Sequence, residues 1–266
     1  MSGARRSAGV GAGRGWTRRE VLASGMAALV PPMWGCSDGP TAPGSDGVSP
    51  FMTVTWRPPT IAVETGQHLL GVEADRDGLF YVPASYDSAV PIPLFVALHG
   101  AGGRADNWRG LFDLCEERGM AMLAIDAREA TWDRIRGTFG PDVAFLDRAM
   151  GHVYDRVRVD PARTALAGFS DGASYALSLG PANGGLFPYL IAFSAGFSRP
   201  PEGRVGQPQI FVSHGTFDSI LPIGNARDVI VPTFRSDGYD VEYVEFEGGH
   251  EVPPEIGRQA LDWFLG

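Results

Sequence analysis

Arg163-Thr164-Ala165-Leu166-Ala167-Gly168-Phe169-Ser170-Asp171-Gly172-Ala173-Ser174-Tyr175-Ala176-Leu177-Ser178-Leu179 is the stretch on which the reading of the fold depends. Its first part is a short apolar run of strand character, and its last part is a run of good helix formers with apolar residues on one face. Between them, Gly168-Phe169-Ser170-Asp171-Gly172 fits the pattern G-x-S-x-G. A strand that enters such a pentapeptide and a helix that leaves it present the central hydroxyl on a sharp, exposed turn. Side chains at 168 or 172 would collide across that turn, which accounts for glycine at both places. The following helix directs its positive end at the serine. The five residues alone would also suit an ordinary glycine-rich turn, so it is the strand and the helix around them that carry the reading.

On both sides of this turn the chain alternates β-rich runs with helical stretches, the mark of a mainly parallel sheet covered by helices on both faces. Pro93-Leu94-Phe95-Val96-Ala97-Leu98 is apolar on both alternate faces and reads as a buried central strand. Further strands are predicted at 121–125, 163–167, 190–193 and 209–212. Val241-Glu242-Tyr243-Val244-Glu245-Phe246 alternates polar and apolar and is predicted to have an exposed face or to form an edge. Helical spacing appears over 142–156 and 224–236, and the chain closes on Ala260-Leu261-Asp262-Trp263-Phe264. The expected class is α/β, one catalytic domain over residues 53–266, with no internal repeat.

A serine hydroxyl is a weak nucleophile at neutral pH, so Ser170 calls for a histidine base and a carboxylate to fix that base's tautomer. Of five histidines, His250 follows the last predicted strand through Glu247-Gly248-Gly249, where such a base belongs. His68 falls in a polar early region and His152 inside a predicted helix, both structural positions. His99 and His214 each sit in a His-Gly pair that ends a strand, and are expected to pack or hydrogen-bond beneath the site. Ser213-His214-Gly215-Thr216-Phe217-Asp218 offers Asp218 as the acid, in the chain order serine, acid, histidine. Asp126, ending an earlier strand, competes for that role. Asp237 and Asp240 lie in a helix-to-strand turn. His99-Gly100-Ala101-Gly102-Gly103 supplies close-packed backbone N–H groups, and Ala101 and Asp171 are assigned as donors to a developing oxyanion. A phosphate-binding loop is the other reading of these glycines, but the lysine and hydroxyl residue it needs are missing, and Arg104 does not replace them.

These pieces resemble the phospholipase/carboxylesterase branch of the α/β-hydrolases and the secreted polyester and feruloyl esterases near it. The resemblance rests on Leu98 to Gly103, Ala167 to Ala173, His214-Gly215-Thr216-Phe217-Asp218-Ser219-Ile220-Leu221-Pro222 and Gly248-Gly249-His250-Glu251, and covers the chain from about Pro93 onward. It implies a serine carboxylic ester hydrolase that needs no cofactor or metal and has a small lid or none. Asp171 departs from the pattern, standing where many members carry glutamine; its charge beside the oxyanion is expected to disfavour anionic substrates. Two alternatives are a serine peptidase on the same fold and a surface binding protein that has kept the fold without catalysis. Trp108 and Trp132, in loops after two of the strands, are candidates for the substrate pocket or for the core.

Composition limits the partners. The 266 residues carry a formal charge of -9 and 44% hydrophobic content, enough for a full core and unsuited to a nucleic acid. Cys36 and Cys115 are too few for a disulfide framework. Residues 1–36 read as an export signal: Thr17-Arg18-Arg19-Glu20-Val21-Leu22 resembles a twin-arginine motif, an apolar run to Val30 follows, and Met33-Trp34-Gly35-Cys36 resembles a lipoprotein processing box. Residues 37–52, rich in Pro, Gly and Ser, read as a flexible linker. The expectation is an exported, periplasmic or cell-surface enzyme whose one membrane contact is a lipid on Cys36, acting on a small or polymeric ester. Its oligomeric state stays open.

Overall fold

Eight strands form one sheet: β1 (Gly66–Leu69), β2 (Gly78–Val82), β3 (Ile92–Leu98), β4 (Ala121–Ile125), β5 (Val159–Phe169), β6 (Tyr189–Phe193), β7 (Gln209–Gly215) and β8 (Val241–Phe246). Their order across the sheet is β1-β2-β4-β3-β5-β6-β7-β8 in a computed structural model that describes residues 48–266. From β4 to β8 every pairing is parallel; β1 and β2 join antiparallel at one edge. The chain leaves β3 for β4 on one side and later returns to β5 on the other. The carboxyl ends of β3 and β5 therefore feed loops that part in opposite directions and open a crevice between them.

Among the described residues six α-helices cover the sheet: α1 (Phe112–Arg118), α2 (Asp133–Arg136), α3 (Pro141–Tyr154), α4 (Asp171–Leu179), α5 (Val231–Ser236) and α6 (Pro254–Leu265). Alternate residues of each central strand go to opposite faces, as a pleated strand requires. Leu94, Val96 and Leu98 belong to the buried cluster that includes the apolar faces of α3, α4 and α5, while Phe95 and Ala97 belong to the one that includes α1 and α6. In α6, Ile256, Ala260, Leu261 and Phe264 recur at helical spacing and are buried, and Pro254 starts the helix at a position where no backbone N–H is needed.

The predicted central strands are present, and the predicted edge character of 241–246 matches β8 at the margin of the sheet. The strand through 163–167 is longer than expected, running from Val159 to Phe169. β1, β2, α1, α2 and a 3-10 segment at Ala105–Leu111 were not expected from the sequence. The helix expected over 224–236 starts as a π-helical turn at Asn225–Ile230 before it becomes α5. Near its amino-terminal end the described body reaches back into the expected linker: Asn183 accepts from the Met52 amide at 2.8 Å and donates to the Pro50 carbonyl at 2.8 Å. The export and lipidation readings, Cys36 included, fall on residues outside those described.

Candidate active site

β5 ends on Phe169, and Ser170 takes φ 58°, ψ -117°, left-handed backbone that a non-glycine residue adopts at a cost of roughly 1–3 kcal/mol. The Ser170 amide donates to the Phe193 carbonyl of β6 at 2.9 Å, which pins the strained residue, and α4 starts at Asp171. The two glycines are required by different neighbours. A Cβ on Gly168 would come within 2.2 Å of the Gly172 carbonyl carbon, across the turn itself. A Cβ on Gly172 would meet the Leu98 carbonyl oxygen of β3 at 2.2 Å, so this glycine is there for the adjacent strand.

His250 Nε2 lies 2.8 Å from Ser170 Oγ, and His250 Nδ1 lies 2.7 Å from Asp218 Oδ2. The Nδ1 hydrogen donates to the carboxylate, which leaves Nε2 free to accept from the serine hydroxyl. Asp218 Oδ1 accepts from the Ile220 and Leu221 amides at 2.9 and 2.8 Å. Burial alone would raise the Asp218 carboxyl, but the bonds from His250, Leu221 and Ile220 outweigh it and hold the group below its ordinary value. Asp126 is occupied elsewhere: it accepts from the Ala105 amide at 2.6 Å and from Arg104 at 2.9 Å, fixing the start of the 3-10 segment. Asp237 pairs with Arg204 at 2.7 Å, and Asp237 and Asp240 both precede β8, whereas His250 follows it.

The loop after β3 is held from below. His99 is buried; its Nδ1 donates to the Gly100 carbonyl at 2.6 Å and its Nε2 accepts from the Ala127 amide at 2.9 Å. Burial lowers the imidazole's pKa, although the Gly100 bond opposes this, so the neutral ring is favoured. The Gly102 and Gly103 amides go to the Ala130 and Gly100 carbonyls at 2.7 and 3.0 Å. Ala101 and Asp171 have no protein acceptor for their amides among the described residues. The Asp171 carboxylate accepts from Thr131 Oγ1 at 2.6 Å.

Of the two places open to Trp132, pocket or core, the structure puts it in the core. It is fully buried, stacks on Tyr175 of α4 with ring centroids 5.1 Å apart, and donates its indole N–H to the His99 carbonyl at 2.8 Å. It supports the loop instead of lining a pocket. Trp108 is placed differently: with Gly100 to Gly103, Phe169 and Val252 it lines a cavity of about 380 Å³ beside Ser170's neighbours, and it packs edge-on to Phe95 at 6.2 Å. A second cavity of about 340 Å³ shares Trp108 and Val252 and continues past Leu111, Pro254 and Arg258. Phe169, whose ring lies 4.8 Å from that of His250, and Val252 were not anticipated. Phe169 was open to notice as the first variable residue of G-x-S-x-G. His68 and His152 both pack on Phe80, at 4.7 and 5.8 Å. Among the described residues no group of three or more His, Cys, Asp or Glu could hold a metal ion, and no helix is long and apolar enough to cross a membrane. Cys115 is a buried free thiol, its pKa pushed up to about 12 first by burial and then by Glu116.

No protein-family model matches the chain. It is 25% identical to feruloyl esterase C of Emericella nidulans over 213 residues, 67% of this chain and 77% of that protein. It is 28% identical to the putative esterase NocK of Nocardia uniformis over 232 residues, 78% of this chain and 66% of that protein. The fold matches that of esterase PE8 with TM-score 0.59 and 20% identity, covering 71% of this chain and 97% of PE8. The Bacillus cereus carboxylesterase matches with TM-score 0.55 and 18% identity, over 72% and 94%. The chain has the fold of these esterases, the α/β-hydrolase fold. In this fold Ser170, His250 and Asp218 meet where the carboxyl ends of β3, β5, β7 and β8 converge.

Proposed function

We propose that this protein is an esterase that cleaves carboxylic esters through a covalent acyl-serine on Ser170, with His250 as base and Asp218 as its acid partner. The observation that carries the reading is the relay of 2.7 and 2.8 Å from Asp218 through His250 to Ser170, made by residues from three separate loops. His250 Nε2 takes the hydroxyl proton as Ser170 Oγ attacks the ester carbonyl carbon. The Ala101 and Asp171 amides receive the negative charge that forms on the carbonyl oxygen, an effect worth about 3–4 kcal/mol per donor in the barrier. Asp218 stabilises the imidazolium. Nε2 then returns the proton to the departing alcohol, and a water, deprotonated by the same nitrogen, releases the acid and restores Ser170.

For substrate we propose an uncharged ester with an aromatic or similarly flat group, seated against Trp108 and Phe169. Support comes from the aromatic walls of the cavity beside the glycine loop and from relatives named for feruloyl esters. The Asp171 carboxylate next to the oxyanion donors weighs against an anionic group at that point. Arg18-Arg19 and Cys36 support an exported enzyme on a lipid tether; mass spectrometry of the mature amino terminus would read a lipidated Cys36 or its absence.

Ser170→Ala is the direct test. Its turnover of a soluble aryl ester should fall by about 10⁴-fold or more while the melting temperature holds. The parent should also label at Ser170 with a fluorophosphonate. Hydrolysis by the variant at the parent rate would overturn the mechanism, and faster turnover of peptide amides than of esters by the parent would overturn the substrate class.

A further inference from the structure

We propose that His214 is a positioning residue for the acid of the relay, acting through Asp218 and never touching substrate. This rests on the mechanism just proposed. His214 belongs to β7 and is fully buried. Its Nε2 lies 2.7 Å from the Leu221 carbonyl oxygen and 3.2 Å from Asp218 Oδ2. Both neighbours are acceptors, so the hydrogen sits on Nε2; it donates to the Leu221 carbonyl with the Asp218 carboxylate 3.2 Å from the same nitrogen, while Nδ1 is buried without a protein partner.

These contacts close a small circuit. A carboxylate offers about four acceptor directions. In Asp218 the Ile220 and Leu221 amides use Oδ1, the imidazole of His250 uses Oδ2, and the His214 imidazole stands with Nε2 3.2 Å from Oδ2 as a close polar neighbour. The carboxylate cannot turn without breaking bonds on both oxygens. The same imidazole holds Leu221, where the acid loop leaves the site, to β7, where that loop begins. From β8 and the loop after it, the Phe246 and Gly248 carbonyls accept from the Thr216 and Phe217 amides at 2.9 Å each. The acid loop is therefore tied to its own strand by a side chain and to the base loop by backbone. Without His214 the backbone tie would remain, but Oδ2 would lose its second polar neighbour and the Leu221 carbonyl its donor. A carboxylate aimed less well leaves the imidazole free to turn, and misplacement on the scale of 1 Å can lower turnover about 100-fold.

Steady-state kinetics on a short soluble aryl ester with five proteins test this: parent, His214→Phe, His214→Gln, Asp218→Asn and the His214→Phe/Asp218→Asn double variant. His214→Phe keeps an aromatic ring without the donor and should lower kcat roughly 10- to 100-fold with KM within about 2-fold. Glutamine can place its amide nitrogen near that of the imidazole, and His214→Gln should recover most of the loss. In the Asp218→Asn background His214→Phe should lower kcat by less than about 3-fold, because the residue acts through Asp218. Parent-like kcat in His214→Phe, no recovery in folded His214→Gln, or an undiminished loss in the Asp218→Asn background would each overturn the proposal. If His214→Phe does not fold, His214→Asn, too short to reach Leu221, takes its place against His214→Gln. Parent-like turnover by Asp218→Asn alone would instead overturn the mechanism on which the proposal rests.

Discussion

Two His-Gly pairs stand at the carboxyl ends of strands in the same sheet, His99-Gly100 after β3 and His214-Gly215 at the end of β7. In both the imidazole is buried and braces a loop from beneath. His99 bonds only to backbone, the Gly100 carbonyl and the Ala127 amide, whereas His214 reaches a carboxylate as well as a carbonyl. The glycines differ more. A Cβ on Gly100 would stand 3.2 Å from Ser170 Cβ, and one on Gly215 would stand 2.3 Å from the Gly249 carbonyl oxygen. One glycine allows a loop near the nucleophile, with a little room left. The other lets the base loop lie against the acid loop, with none. The same dipeptide thus serves two kinds of contact, and the difference can be tested.

Gly215→Ala should have the largest effect. The new methyl must displace the backbone that precedes His250, so kcat/KM should fall about 100-fold or more and the melting temperature should drop; unchanged kinetics would mean that the base loop is free to retreat. Trp132→Phe comes next. It keeps a ring against Tyr175 but removes the bond to the His99 carbonyl, and kcat should fall about 10-fold with KM steady if the oxyanion loop depends on that bond. A loss in KM alone would place the tryptophan's effect on binding. Gly100→Ala should cost only a few-fold in kcat, since the neighbours need to give by a few tenths of an ångström; a loss equal to that of Gly215→Ala would erase the contrast between the two pairs.

The smallest effect concerns the support under His99. Asp133 and Asp142 exchange bonds, each accepting the other's amide, at 2.9 and 2.7 Å. Burial, followed by the charge of Asp142, pushes the Asp133 carboxyl up to about 6. Because this folded value lies above the unfolded one, the group's contribution to stability is intact below the ordinary aspartate range and is lost as pH rises through about 6. Asp133→Asn cannot ionise and can still accept the Asp142 amide. Its melting temperature relative to the parent should rise between pH 5 and pH 7.5, by roughly 2–6 °C. A gap that stays flat with pH would show that the clasp works by packing alone.

The parts of this molecule legible from its residues are those with a period or a fixed local geometry. β3 and β4 are continuous apolar runs because both faces are covered, whereas β8, at the margin of the sheet, carries the exposed Glu242 and Glu245 among its apolar residues. Ser170, Asp218 and His250 could be read because each sits at a loop position set by the strand before it. β1 escaped because four half-exposed residues, Gly66-Gln67-His68-Leu69, are too short to display an alternation. Trp132 stays open between pocket and core for a similar reason: a tryptophan one residue after a threonine in a loop carries no sign of which way it faces, and only packing against Tyr175 and His99 decides it. His214 looked like part of a strand ending, and its reach to Asp218 depends on a turn that Asp218 itself closes through Ile220 and Leu221.

The separate reasons for Gly168 and Gly172 bear on anyone who would graft this pentapeptide elsewhere. Gly168 answers to the turn and would travel with it. Gly172 answers to the Leu98 and His99 carbonyls of a neighbouring strand, so its requirement belongs to the host. Moved into a scaffold with no strand packed that closely, the second glycine becomes dispensable, and the loop that should supply the Ala101 amide is left behind. The portable unit is a pair of adjacent strand ends, not five consecutive letters.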